Sequence, residues 1–141
     1  MNILNIAFND IKASRKGIPK GNINITNNIK ITSLEETNIG ASKEKTAMKL
    51  GFLYKTDYEP EIGNIELKGE VLLMEEAKEA KKMLDGWKKN KKIEPNTAAE
   101  VLNNIMNKCT FEAIFLAREL GMPAPIQMPR VRTEQSQQPK K

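Results

Sequence analysis

Asp57, Glu59 and Glu61 place three carboxylates at alternate positions within five residues. Such a cluster could coordinate a hard cation, or divide the roles of acid and base between two groups. Pro60 and Gly63 beside them mark a turn tip, however, and carboxylates with free hydration remain ordinary solvated acids. The chain has no histidine, which removes the commonest general base and metal ligand at neutral pH. Its single cysteine, Cys109, lies on the apolar side of a helical pattern, where a buried, inert thiol is expected. Zinc sites and Cys-His or Ser-His-Asp arrangements are therefore excluded. Gly63 and Gly69 fall in a hairpin pattern, not between a strand and a helix, so no phosphate-cradling loop is present. No catalytic residue, metal or cofactor is expected, and the chain reads as non-enzymatic.

Positive charge is the other chemical resource. The net charge of +5 is gathered into Lys12, Arg15, Lys16 and Lys20, then Lys88, Lys89, Lys91 and Lys92, then Arg130, Arg132, Lys140 and Lys141. Lys12, Arg15, Lys16, Lys88, Lys89, Arg130 and Arg132 are candidate phosphate contacts; they serve equally as solvated surface or as cations at a helix C-terminus. Phosphate contact is favoured over base stacking, because the chain holds seven aromatics and two of them, Phe52 and Phe111, read as buried. Whether the three clusters share a face depends on the fold.

The elements that would position these groups are strands first. Leu4, Ile6 and Phe8 share one parity, and Ile11 and Ala13 the other, as in a strand with a bulge near Asn9. Asn22–Ser33 contains Asn27-Asn28, a candidate hairpin turn. Pairing about it would mix polar and apolar groups on each face, whereas one continuous strand aligns Ile23, Ile25, Ile29 and Ile31, so a continuous strand is predicted. Leu34–Lys45 is polar and reads as a connection. Met48, Leu50, Phe52 and Tyr54 alternate with their neighbours, as do Ile65, Leu67, Gly69, Val71 and Leu73, and the short turn between predicts an antiparallel pair.

Helices follow. Ala77, Ala80, Met83, Leu84 and Trp87 recur at helical spacing within Glu75–Lys92, with acids first and lysines last, and Trp87 reads as the anchor on the core. From Thr97, read with Glu100 as a capping box, a second helix carries Ala98, Val101, Leu102, Ile105, Met106, Cys109, Ala113, Leu116, Ala117 and Leu120 along one face to a glycine stop at Gly121. Phe111, Ile114 and Phe115 lie off that stripe and call for a second cover. Pro123, Pro125 and Pro129 then hold Met122–Val131 extended, with Ile126 and Met128 among its apolar side chains. This arm either straps the domain's own core or borders a groove.

The fold class is thus α+β: a four-stranded antiparallel sheet followed by two helices and an extended Pro-rich C-terminal arm. With 39% hydrophobic and 29% charged residues, 141 residues suit one domain, 1–131, followed by a disordered tail, 132–141. No apolar run of membrane length and no signal-peptide pattern occur, so a cytoplasmic protein without a membrane partner is expected.

This order of elements resembles the SecB-like chaperone fold, with Thr97–Gly121 matching that family's long helix and Met122-Pro123-Ala124-Pro125-Ile126-Gln127-Met128-Pro129-Arg130-Val131 its extended crossover. The helix at Glu75–Lys92, the lack of a closing helix after Val131 and the basic charge depart from the family pattern. The resemblance implies binding of unfolded polypeptide clients, with Phe111, Phe115, Met122, Ile126 and Met128 as candidate residues for client binding or self-association. A homo-oligomer, a dimer through the second half of the long helix, is expected. The alternative is a basic protein associated with RNA or the ribosome.

Overall fold

A computed structural model describes residues 1–38 and 44–125. Four long strands, β1 (Asn2–Arg15), β2 (Asn24–Thr37), β3 (Lys45–Glu59) and β4 (Gly63–Glu76), precede two helices, α1 (Ala77–Asn90) and α2 (Pro95–Glu119). The strands form one antiparallel sheet in the order β1-β4-β3-β2. The predicted β3–β4 hairpin and the continuous β2 are both present. Ile25, Ile29 and Ile31 stand opposite Tyr58, Tyr54 and Phe52 on one face, so their shared burial decided against a turn at Asn27-Asn28.

That face is the core face. Met48, Leu50, Phe52, Tyr54 and Tyr58 of β3, with Ile65, Leu67, Val71 and Leu73 of β4, are fully buried beneath Ala80 and Met83 of α1 and the Val101, Ile105, Cys109, Ala113 and Ala117 stripe of α2. α1 packs towards β2, β3 and β4, and α2 towards β1 and β4. Trp87 is half-buried against this core, with Lys91 Nζ 5.6 Å from its ring centroid.

One transverse line interrupts the ladder. Phe8, Gly69, Phe52 and Ile31 stand side by side across all four strands, and the register shifts immediately afterwards at both edges, at Asn9 in β1 and Thr32 in β2. A further shift surrounds Leu4. Gly69 is required here: a Cβ would collide with the Ala7 carbonyl and sit 2.6 Å from the Phe52 ring. Its missing side chain lets Phe8 and Phe52 meet edge to face across it, ring centroids 6.2 Å apart.

Three expectations are corrected. β2 continues beyond Ser33 to Thr37, with Leu34 buried, because the Thr32 bulge transfers the apolar parity from Ile31 to Leu34; only the remainder of the expected connection, 39–43, lies outside the described residues. α2 begins at Pro95 rather than Thr97, and its N-cap is Glu94, whose carboxylate accepts from the amides of Asn96 at 3.2 Å and Thr97 at 3.0 Å. Phe111 is exposed, not buried. α2 is covered along one stripe only, and Phe111 lies outside it. Gly121, at φ 69°, ends α2 as expected, and Met122 N–H returns to the Ala117 carbonyl at 2.8 Å.

Candidate functional site

The side chains of α2 that fall off its buried stripe define the first half of the site. Lys108, Phe111 and Phe115, at i, i+3 and i+7, share one side of the helix. Lys108 Nζ lies 5.3 Å from the centroid of Phe8 in β1, which turns this side towards the edge strand. At the end of the helix, the Met122 sulfur comes against Gly63, whose strand partner is Arg15. α2 therefore advances along β1 in the same direction, and Phe111 and Phe115 accompany the stretch that holds Ile11. Phe111 is 76% exposed, Phe115 56% and Ile11 44%. Large apolar groups left open on one flank are the unusual feature of this surface.

The second half is the start of the C-terminal arm. Met122 is buried and seals the end of the core, and from it Met122–Pro125 crosses the core face towards β2. Tyr58 Oη donates to the Pro123 carbonyl at 2.7 Å, and Asn27 Nδ2 donates to the Pro125 carbonyl at 2.7 Å. Asn27 is held in turn by its own Oδ1, which accepts from Thr56 Oγ1 at 2.7 Å and from Tyr54 Oη at 3.3 Å; Thr56 Oγ1 stands 2.9 Å from Tyr54 Oη. Two donors aimed at carbonyls two residues apart suit an extended chain without reading its side chains. The segment Met122–Pro125 is thus a strap on the domain's own core. Burial pushes the Tyr58 hydroxyl up to about 12, with Tyr54 nearby adding to the effect, so it remains a donor throughout the neutral range. Ile126, Met128, Arg130 and Arg132 lie outside the described residues, as does the expected 132–141 tail.

The two basic clusters that fall among the described residues do not converge. Lys12, Arg15 and Lys16 surround the end of β1 beside the β3–β4 turn, where Arg15 pairs with Gly63 and Lys16 N–H donates to the Ile62 carbonyl at 2.7 Å. α1 starts at the opposite end of the sheet, where Lys45 pairs with Glu76, and Lys88 shares a cleft there with Glu36 and Thr46. Strands of 14 or 15 residues span about 45 Å, too far for Lys88 and Lys89 to form one patch with Lys12, Arg15 and Lys16.

The acidic turn carries no candidate metal centre, since no group of three or more metal-ligating side chains assembles among the described residues. Burial raises the Cys109 thiol to about 12, an effect that Lys108 only partly offsets, so thiolate chemistry is suppressed at neutral pH. Sequence reasoning missed the contribution of Asn27 and Thr56. Both are polar residues on an apolar face, and their positions opposite one another in the β2–β3 register were the available signal. No helix among the described residues is long and apolar enough to cross a membrane.

Neither a protein-family model nor a curated protein matches this chain. Among solved structures it is similar to a Mycobacterium tuberculosis SecB-like chaperone in complex with a ChAD peptide from the HigA1 antitoxin, with a TM-score of 0.59 over 94% of this chain and 91% of that one, at 10% sequence identity. At that identity the likeness is one of fold, and the chain has the SecB-like chaperone fold.

Proposed function

We propose that this protein is a non-enzymatic, chaperone-like binding module that holds extended apolar segments of unfolded polypeptides on the α2 flank. The observation that carries this reading is the alignment of exposed Phe111 and Phe115 on the side of α2 that follows β1 past Ile11. Aromatic rings without partners on a rigid helix suit clients of varied sequence, because their contribution is area removed from water rather than directed bonds. Met122 at the end of the same helix is buried as the seal of the core, and Ile126 and Met128 continue the sequence beyond the strap, where the flexible Met128 thioether adds an adaptable contact. The peptide seen with the structurally similar chaperone supports a polypeptide as the ligand.

The same flank supports self-association. A two-fold pair would bury Phe111 and Phe115 of both copies against one another. The test measures aggregation of chemically unfolded clients by light scattering, alongside the molar mass of the protein alone at micromolar concentration. Suppression at near-stoichiometric ratio, across several clients, is expected. Failure with every client would reject the chaperone reading, and a strict monomer would reject the pairing.

A further inference from the structure

The strongest charge feature of the molecule lies away from the α2 flank. Residues 77–92, comprising α1 and the turn after it, contain seven lysines against only Glu79 and Asp85. That surplus equals the +5 of the whole chain, so every other region of the sequence taken together is balanced. The surplus is also directional. Ala80, Met83 and Trp87 turn inward, and Lys78, Lys81, Lys82, Lys88 and Lys89 recur at three-, four- and seven-residue intervals on the opposite side, all exposed. Lys82 meets Glu79 at 3.5 Å, and Asp85 is the one acid within the stripe. From Lys78 to Lys89 the stripe is about 16 Å long.

We propose that the outward face of α1 is a docking surface for an acidic polypeptide segment. Charge complementarity selects the sign of the partner, and three details select a polypeptide over a nucleic acid. The stripe is made of lysine alone, with no arginine to grip phosphates bidentately. It offers no stacking platform, because Trp87 is packed on the core and Lys91 lies over its ring. It is also short and separate from the basic residues around Arg15 at the far end of the sheet, so it provides no continuous track for a phosphate backbone. An extended segment of about five residues, its acids at alternate positions some 6–7 Å apart, spans the stripe with flexible lysines closing on each carboxylate.

Trp87, the only tryptophan in the chain, reports from the base of this face. Titrating the full chain with a poly-L-glutamate peptide of about 15 residues, and following Trp87 fluorescence, is expected to show saturable binding that weakens about tenfold or more between 50 and 200 mM salt. Lys81→Glu/Lys88→Glu/Lys89→Glu is expected to abolish the response, the neutral Lys81→Gln/Lys88→Gln to reduce it, and Lys12→Glu/Lys16→Glu to leave it unchanged. Circular dichroism checks that each variant stays folded. Absence of binding at low salt, equal loss in the α1 and β1 variants, or binding of an oligouridylate in preference to polyglutamate would each overturn the proposal.

Discussion

Replacing Tyr58 with phenylalanine removes one hydroxyl and leaves the core otherwise filled. In the wild type that hydroxyl donates to the Pro123 carbonyl at 2.7 Å, and Asn27 holds the Pro125 carbonyl two residues later. Among the described residues, the strap's attachment consists of these two hydrogen bonds and that of the Met122 amide to the Ala117 carbonyl, each worth about 1 kcal/mol, and the buried Met122, worth about 1.5–3 kcal/mol. Local release should cost roughly 5 kcal/mol on this reckoning. Leaving the Pro123 carbonyl without its donor removes about 1.5 kcal/mol, which raises the released population about tenfold. Hydrogen exchange at the Met122 amide, bonded to the Ala117 carbonyl, reads that population directly. In Tyr58→Phe it should accelerate about tenfold, with the amides of Val101 and Ile105 unchanged. Because both carbonyls belong to one strap, Tyr58→Phe combined with Asn27→Ala should cost less than the sum of the two. Unchanged exchange at Met122, or acceleration spread evenly through the sheet, refutes the assignment. The Tyr58 hydroxyl also links the strap to pH. Its folded value is raised to about 12 from an ordinary 10, so its contribution is complete below pH 10 and is lost as pH rises towards 12. Denaturation across that window should show a steeper decline for the wild type than for Tyr58→Phe.

Three further outcomes follow from the same geometry. Phe111→Ser/Phe115→Ser should lower stability by about 1–2 kcal/mol at most, since both rings are mainly exposed, yet weaken client holding by tenfold or more; urea denaturation and aggregation assays separate the two effects. Cys109 should resist thiol reagents at pH 8 in the native state and react on global unfolding, because burial keeps its thiol protonated; rapid native labelling would contradict the packing. Glu94→Gln should lower the melting temperature at neutral pH, where the carboxylate caps α2. Hydrogen bonds from the Thr97 and Asn96 amides depress the carboxyl's pKa, so the cap's contribution fades as the pH falls below the ordinary glutamate range, and the gap between variant and wild type should close there.

Much of this fold was legible because its signals are periodic. The parity change after Phe8 announced the Asn9 bulge, and the isoleucines at 25, 29 and 31 outweighed a local turn signal. The same kind of parity change, from Ile31 to Leu34, marked the Thr32 bulge, but the polar Glu35 and Glu36 disguised it as the end of a strand. The cap at Glu94 was masked by a more conventional hydroxyl at Thr97, which instead donates its own hydrogen to the Glu94 carboxylate at 3.0 Å. Phe111 misled for a different reason: hydrophobicity gives a residue's preference, whereas exposure depends on how far a neighbouring sheet extends beneath the helix. The strap was the least legible part of the site. Its bonds join Asn27 to Pro125 and Tyr58 to Pro123 across sequence separations of 98 and 65 residues, and carbonyl acceptors have no sequence signature.

The interrupted ladder also governs how the sheet meets other chains. Among the described residues, both outer strands, β1 and β2, have a strand neighbour on one side only, and edges of this kind are where sheets grow into fibrils. The bulges at Leu4 and Asn9 leave β1 no regular run longer than the six residues Asp10–Arg15, and the bulge at Thr32 limits β2 to the eight residues Asn24–Ile31. An incoming strand can pair in register over such a run and then loses alignment. The margins of a sheet built this way make poor seeds for edge-to-edge aggregation, a property that suits the polypeptide-holding role proposed above.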